Sequence, residues 1–156
     1  MDILKSSRHS KITGDYGETL VLYWLSKYGF ECARVDHTGI DLIARNPHTG
    51  ELMGISVKSR SRTLGTERSS LRIPSGNFEK ASRACEEFRC LPYFAIVIDE
   101  GEKTWAFLLS MERLLNLFPK TDTGLYWRMG EQNVRQYADD PAIKIFELQT
   151  RTLRWW

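Results

Sequence analysis

Apolar and polar positions alternate most regularly in residues 39–60, and this stretch predicts a β-hairpin. Residues 40–44 and 52–58 are two runs rich in strand-forming side chains. The dipeptides Asn-Pro and Thr-Gly fall between them, within residues 46–50, and both are typical of turns. We therefore expect two antiparallel strands joined by a short connection.

The hairpin is predicted to bring a small group of polar side chains together. Because side chains alternate between the faces of a strand, Asp41 shares a face with Ile43, and Ser56 shares a face with Lys58. A carboxylate, a hydroxyl and an ammonium can then lie near one another, although an unpaired charge in such apolar strands would be costly. The alternative is an Asp–Lys pair on a sheet surface, worth about 0–1 kcal/mol and of no further consequence.

A helix is predicted before the hairpin, over residues 15–28. Its apolar side chains recur at the spacing of one helix face and are Leu20, Val21, Trp24, Leu25 and Tyr28. Glu18 falls in the first turn of this helix, where Asp15 as N-cap and Glu18 three residues later would form a capping box. Residues 1–13 precede the helix as a basic N-terminal arm.

Strand-like and helical periodicities continue through the rest of the chain. They predict strands at residues 30–35, 93–98, 103–109 and 143–148, an extended segment at 71–74, and helices at 75–89, 111–118 and 131–138. Residues 14–118 are expected to form the core, and residues 119–156 a C-terminal extension that packs on the core or on a partner subunit. The final pair, Trp155-Trp156, is interpreted as a hydrophobic anchor rather than a platform for stacking bases.

Length and composition limit the class of protein. A chain of 156 residues, 42% hydrophobic and 27% charged, suits one globular domain with a substantial core. The three cysteines lack CxxC spacing, and neither a signal peptide nor a membrane-length apolar run is evident, so we expect reduced thiols in a cytoplasmic protein. Cys32, His37 and His48 match no zinc-finger or zinc-ribbon spacing.

Positive charge is concentrated after the first strand pair. The formal net charge of +2 is too small to indicate nucleic-acid binding by itself. Residues 58–89 carry eight basic and four acidic side chains, which leaves a local excess of +4. A bias of this kind is usually a solvated face, so it supports phosphate binding only in combination with a site.

The ordered set Glu18, Asp41, Ser56 and Lys58 resembles the motif of the PD-(D/E)XK nuclease superfamily, which includes the archaeal Holliday-junction resolvases. In that family a helix glutamate precedes an aspartate at the start of one strand, and the next strand carries an acid or glutamine, a hydrophobic residue and a lysine. The stretches GIDLIA and VKSR are the most similar parts, and the resemblance covers roughly the first 110 residues. It implies a restriction-endonuclease-like α/β fold, in which helices flank a mixed central sheet with an αβββαβ core, in a single domain with a C-terminal extension.

The resemblance also implies a metal-dependent chemistry. Asp41 would be the principal ligand of a Mg²⁺ or Mn²⁺ ion, with Glu18 and the carbonyl of Val57 as further ligands. Lys58 would orient the attacking water or stabilise charge on the phosphate, and Ser56 would contribute a neutral oxygen or a water contact.

Two positions depart from the family pattern. Ser56 stands where Glu, Asp or Gln is expected, and Ile40 stands where a proline is expected. The second change affects a position that shapes the backbone. The first removes a charged metal ligand, so weaker metal binding is expected.

Three functions remain open at this point. The leading one is a metal-dependent nuclease acting on DNA, with the substrate phosphates contacted by Lys58, Arg60, Arg62, Lys80 and Arg83. The second is a catalytically inactive nucleic-acid-binding or assembly subunit of the same fold. The third is a protein-interaction module, possible as a homodimer, in which Tyr126-Trp127 and the terminal tryptophans form the interface. The sequence contains no Walker loop, dinucleotide-binding glycine pattern or nucleophile elbow.

Overall fold

The computed structural model describes residues 4–156, which form a mixed α/β fold. The elements in chain order are α1 (His9–Lys27), β1 (Glu31–His37), β2 (Ile40–Arg45), β3 (Leu52–Ser61), β4 (Leu71–Pro74), α2 (Gly76–Phe88), β5 (Leu91–Asp99), β6 (Lys103–Ser110), α3 (Met111–Leu117), β7 (Gly124–Trp127), α4 (Glu131–Ala138) and β8 (Lys144–Gln149). The predicted hairpin is confirmed as the antiparallel pair of β2 and β3. The helix predicted at residues 131–138 is confirmed as α4.

The central sheet contains six strands in the order β1-β2-β3-β5-β6-β8. β3 and β5 run parallel and the other neighbours run antiparallel, so the sheet is mixed, as the fold class predicts. A separate two-stranded sheet pairs β4 with β7. Parallel neighbours require a crossover connection, and the crossover from β3 to β5 carries β4 and α2. This connection places α2 beside β3.

The sheet is covered on both faces, and β5 shows why. Ala95 and Val97 pack in the same apolar cluster as the buried side of α1. Phe94, Ile96 and Ile98 pack in a second cluster with residues of α2, α3 and α4. Neighbouring strand residues point to opposite faces, so a strand covered on both sides is apolar at nearly every position. The two clusters together make one domain.

The first helix begins earlier than the sequence predicts. α1 starts at His9, so Asp15 lies inside the helix and Glu18 lies in its middle. The predicted capping box is therefore wrong. Local side-chain contacts support the added turns, because Thr13 Oγ1 donates to the His9 carbonyl at 2.7 Å and Lys11 forms an i,i+4 ion pair with Asp15 at 3.1 Å.

The predicted N-terminal arm is thus helical over its last residues. Residues 1–3 of that arm lie outside the described part of the chain. The Lys5 ammonium reaches the end of β3, where it donates to the Ser61 carbonyl and hydroxyl at 3.0 Å and to the Arg62 carbonyl at 3.2 Å. These contacts fix the segment before α1 against the sheet.

Residues 119–156 add structure to both sheets. β7 pairs with β4, and β8 extends the central sheet by pairing with β6. Trp127 is 0% exposed within the core, so it cannot form the interface suggested for Tyr126-Trp127. Trp155 and Trp156 are 71% and 99% exposed and contact each other edge-on at 4.8 Å, so they do not anchor the tail to the body of this chain. None of the helices within residues 4–156 has both the length and the apolar character to cross a membrane.

Candidate active site

Asp41 lies where the backbone pairing of β2 and β3 ends. The ladder pairs Leu42 with Ile55, and the Asp41 carboxylate continues it by accepting a hydrogen bond from the Val57 amide at 2.7 Å. A backbone N–H left free at the end of a ladder needs an acceptor, and Asp41 Oδ2 supplies it. The contact joins Asp41 and Val57, which the family resemblance implies as metal ligands.

Glu18 approaches the same place from α1. Its side chain is 27% exposed and accepts a charge-assisted hydrogen bond from Arg34 Nη1 at 2.7 Å. Burial raises the pKa of the Glu18 carboxyl, the negative charge of Asp41 raises it further, and the Arg34 guanidinium opposes both. A carboxyl whose ionised form is disfavoured by burial and by a second carboxylate makes a site where a cation is favourable.

A close approach between α1 and β3 brings Glu18 to this position. The residue before it, Gly17, is buried, and a Cβ atom there would overlap Ser59 Oγ and lie 3.6 Å from Val57 Cγ1. Only the absence of a side chain lets the helix cross β3 at this distance. The sequence does not reveal this role, because Gly17 is one of several glycines in polar surroundings.

The Lys58 side chain lies on the face of β3 that α2 covers, whereas α1 crosses the opposite face. Its ammonium donates to Asn77 Oδ1 at 2.5 Å. Burial lowers the pKa of Lys58, the carboxylate of Asp41 opposes that change, and the positive charges of Arg60 and Lys80 add to it. Asn77 and Arg34 were both missed in the sequence, since each makes its contact across 16 or more residues and belongs to no motif.

Ser56 is 2% exposed, and its position two residues before Lys58 puts it on the α2 side of the strand. Packing against this side of β3 is close, because a Cβ at Gly54 would lie 2.6 Å from Cys85 Sγ and 2.7 Å from Cys90 Sγ. A small neutral side chain therefore occupies the position that carries an acid or an amide in the resembling family. The structure leaves the site with two carboxylates, Asp41 and Glu18.

The donor set fits a hard cation that keeps much of its own water. Within residues 4–156 no three His, Cys, Asp or Glu side chains form a group that could hold a metal by themselves. Mg²⁺ is commonly held by one or two carboxylates together with water and substrate phosphate. Asp41 and Glu18 meet that requirement.

The five candidate phosphate contacts are placed differently from one another. Arg60 is exposed at the end of β3, and Lys80 and Arg83 are exposed on α2. Lys58 is half-buried and engaged with Asn77. Arg62 is also engaged, because its Nη2 donates to the Ser69 and Ser70 carbonyls at 2.9 Å and closes the loop after β3. The freely exposed cations are therefore Arg60, Lys80 and Arg83.

The fold is a restriction-endonuclease-like α/β domain, and the candidate residues Glu18, Asp41 and Lys58 lie on α1, β2 and β3. Among solved structures, the chain is similar to Hjc, a Holliday junction resolvase from the archaeal hyperthermophile Archaeoglobus fulgidus. The TM-score is 0.56 at 18% sequence identity, and the match covers 79% of this chain and 88% of that one. No protein-family model matches the sequence, and comparison with curated proteins gives no match. The similarity shows the fold.

Proposed function

We propose that this protein is a metal-dependent nuclease that acts on DNA phosphodiester bonds. The observation that carries the proposal is the position of Asp41, which accepts from the Val57 amide and whose charge acts on both Glu18 of α1 and Lys58 of β3 and shifts the pKa of each. A similar fold in a Holliday junction resolvase supports the same class of substrate. Charges brought together in a partly buried site are characteristic of active sites.

The proposed metal would be held by Asp41 Oδ1, by Glu18 and by the Val57 carbonyl. When bound, Mg²⁺ or Mn²⁺ would neutralise charge on the phosphate and lower the pKa of a coordinated water. Asp41 Oδ2 is already committed to the Val57 amide, which fixes the orientation of the carboxylate. Glu18 would turn partly from Arg34 to the ion, and that guanidinium would then be free to donate to a phosphate oxygen.

Lys58 is proposed to stabilise negative charge that develops on the phosphate. Asn77 restrains its ammonium through one hydrogen bond, which leaves two further N–H groups to donate. A positioned donor in a half-buried site is worth more than one in water, because the local dielectric is lower. The exposed cations Arg60, Lys80 and Arg83 would contact flanking phosphates without reading sequence.

A second candidate function is supported by Ser56. Its hydroxyl replaces an anionic ligand, so the same fold would serve as a nucleic-acid-binding or assembly subunit without cleavage if two carboxylates hold the metal too weakly. This candidate predicts salt-dependent DNA binding, with the log of affinity falling about 0.9 per phosphate neutralised, and no dependence on metal.

The proposal also covers the assembly and location of the protein. We place it in the cytoplasm on the basis of its free cysteines, and we propose a homodimer on DNA. Sedimentation velocity at low and high protein concentration tests the dimer, since a monomer at every concentration, with and without DNA, contradicts it.

Cleavage assays on labelled DNA test the central proposal. Linear duplex, single-stranded and four-way-junction substrates are incubated with the protein in Mg²⁺, in Mn²⁺ and in chelator. Metal-dependent cleavage that Asp41→Asn abolishes supports a nuclease. Salt-sensitive binding without cleavage of any substrate favours the inactive subunit, and absence of both excludes the two candidates.

A further inference from the structure

A cleft of about 500 Å³ lies between the start of α1 and the end of β3. Neither carboxylate of the candidate active site lines the cleft, but Val57 and Lys58 belong to both places. The side chains and backbone that define it on the two sides include Lys5, His9, Gly14, Lys58, Ser59 and Arg60. Val57, Lys58 and Arg60 also belong to the proposed site, whereas the lining residues from α1 and from the segment before it have no role in the proposed chemistry.

The cleft is lined by cationic and hydroxyl groups. None of its twelve lining residues is an aspartate or a glutamate, whereas Lys5, Lys58 and Arg60 are all positively charged. A carboxylate does lie behind the lining, because Ser61 Oγ donates to Asp99 Oδ2 at 3.1 Å. That hydrogen bond and the contact from Lys5 satisfy Ser61 locally. The cleft itself therefore favours an anion.

Two of the residues that line the cleft each carry a buried polar atom without a hydrogen-bond partner. The atoms are His9 Nε2 and Ser59 Oγ, and only four such side-chain atoms occur in residues 4–156. A buried polar atom without a partner costs about 1–3 kcal/mol, so such atoms usually meet a water, an ion or a ligand. An oxygen-rich anion in this cation-lined cleft would give both atoms a hydrogen-bond partner.

We propose that this cleft binds a backbone phosphate of the DNA strand that the candidate active site holds, an inference that rests on the proposed function. Lys58 borders both places, so a strand with one phosphate at Asp41 would carry a neighbouring phosphate to the cleft. Ser59 Oγ and the N–H of His9 Nε2 would donate to its oxygens. Lys5 contributes charge and forms the wall, since its three N–H groups already bond to the end of β3.

A pair of substitutions at Gly14 tests the cleft without removing any contact. A Cβ at this helix position meets no atom within 4 Å, and glycine is a poor helix former, so both Gly14→Asp and Gly14→Asn should fold. Gly14→Asp puts a carboxylate in the cleft, and Gly14→Asn is the neutral control of the same shape. We expect Gly14→Asp to weaken duplex DNA binding about tenfold and to reduce the slope of log affinity against log salt by about 0.9. Gly14→Asn should change affinity less than about twofold.

Inorganic phosphate is the direct probe of the same cleft. Imidazole resonances of the full-length protein are followed by NMR during a phosphate titration, with His37 and His48 as internal controls on the exposed surface. Saturable shifts are expected for His9 in the wild type and in Gly14→Asn. They should be absent from Gly14→Asp, and the two control histidines should not move.

The outcomes separate this inference from the proposed function. A His9 resonance that does not respond to phosphate overturns the cleft site, even if metal-dependent cleavage is found. The cleft site is supported if His9 responds to phosphate and if Gly14→Asp, but not Gly14→Asn, weakens DNA binding. This holds even if no substrate is cleaved, and in that case only the proposed nuclease activity is contradicted. Phosphate binding with full DNA affinity in Gly14→Asp shows a free-anion site and overturns the backbone assignment.

Discussion

The Asp41 carboxylate accepts a hydrogen bond from the Val57 amide at 2.7 Å, and this contact ties β2 to β3 where their backbone pairing ends. It commits Oδ2 of the carboxylate to the fold and leaves Oδ1 outside this contact. A side chain fixed in this way needs little reorganisation to bind an ion, which is what a preorganised site requires.

The first prediction concerns metal binding at Asp41. Asp41→Asn keeps an oxygen that can accept from the Val57 amide but removes the charge, so Mn²⁺ affinity should fall more than about 100-fold with little loss of stability. Calorimetry or electron paramagnetic resonance measures the affinity, and thermal unfolding measures the stability. Asp36→Asn, in exposed β1, is the matched control and should leave both unchanged. Full Mn²⁺ affinity in Asp41→Asn would remove Asp41 from the site.

The second prediction tests the effect of the serine in β3. Ser56→Glu should strengthen Mn²⁺ binding at least about tenfold, because it supplies a third carboxylate. Without metal, the same variant should be about 1–3 kcal/mol less stable, since it buries an added charge. Ser56→Gln is the neutral control of equal size. If Glu and Gln give the same metal affinity, the carboxylate is not reaching the ion and the assigned geometry is wrong.

The third prediction concerns the contact between Lys58 and Asn77. Asn77→Ala leaves a half-buried ammonium without this acceptor, so stability should fall by about 1–3 kcal/mol and cleavage by roughly 10- to 100-fold. Burial already lowers the pKa of Lys58, and loss of an acceptor for the charged form lowers it further. The alkaline limb of the cleavage pH profile should therefore move to lower pH. Asn116→Ala, on the exposed side of α3, should change neither the alkaline limb of the pH profile nor the cleavage rate.

The fourth prediction is the pH dependence that follows from Glu18. Its pKa is higher in the folded protein than in the unfolded chain, so at neutral pH the ionised carboxylate disfavours folding. As pH falls through the raised pKa, the folded state takes up the proton first and this penalty disappears. The stability of the wild type relative to Glu18→Gln should thus increase between neutral pH and about pH 4, where the unfolded carboxyl also protonates.

Denaturant unfolding at several pH values measures that difference. Added Mn²⁺ at neutral pH should also favour the wild type over Glu18→Gln, because the cation offsets the repulsion between the two carboxylates. A difference independent of both pH and Mn²⁺ would show that Arg34 alone determines the behaviour of Glu18.

The fifth prediction concerns the close approach of α1 to β3. Gly17→Ala forces a methyl group against Ser59 and should destabilise the protein by about 1–3 kcal/mol. Adding Ser59→Ala removes the nearest atom, so the double variant should recover part of the loss and the two effects should not add. Gly14→Ala, in open space on the same helix, should instead stabilise by about 0.5–1 kcal/mol. Equal effects at the two glycines would contradict the close crossing.

Local periodicity was sufficient to predict much of the fold. The hairpin, the doubly buried strand β5 and the helix over Glu131–Ala138 follow from patterns that lie within a few residues of one another. The start of α3 is equally local, because the Ser110 side chain caps it by accepting from the Arg113 amide at 3.1 Å. The start of α1 was not predicted, because its added turns contain few apolar residues and depend on contacts within the helix and with the end of β3.

The sequence alone determined which residue types are available to the candidate site and on which elements they stand, because alternation and turn residues act over short distances. Tertiary structure decided what each of them contacts. It placed Arg34 on Glu18 and Asn77 on Lys58, it engaged Arg62 in a loop, and it buried Trp127. These contacts join residues distant along the chain, and they are set by how helices and strands pack, which no local pattern encodes.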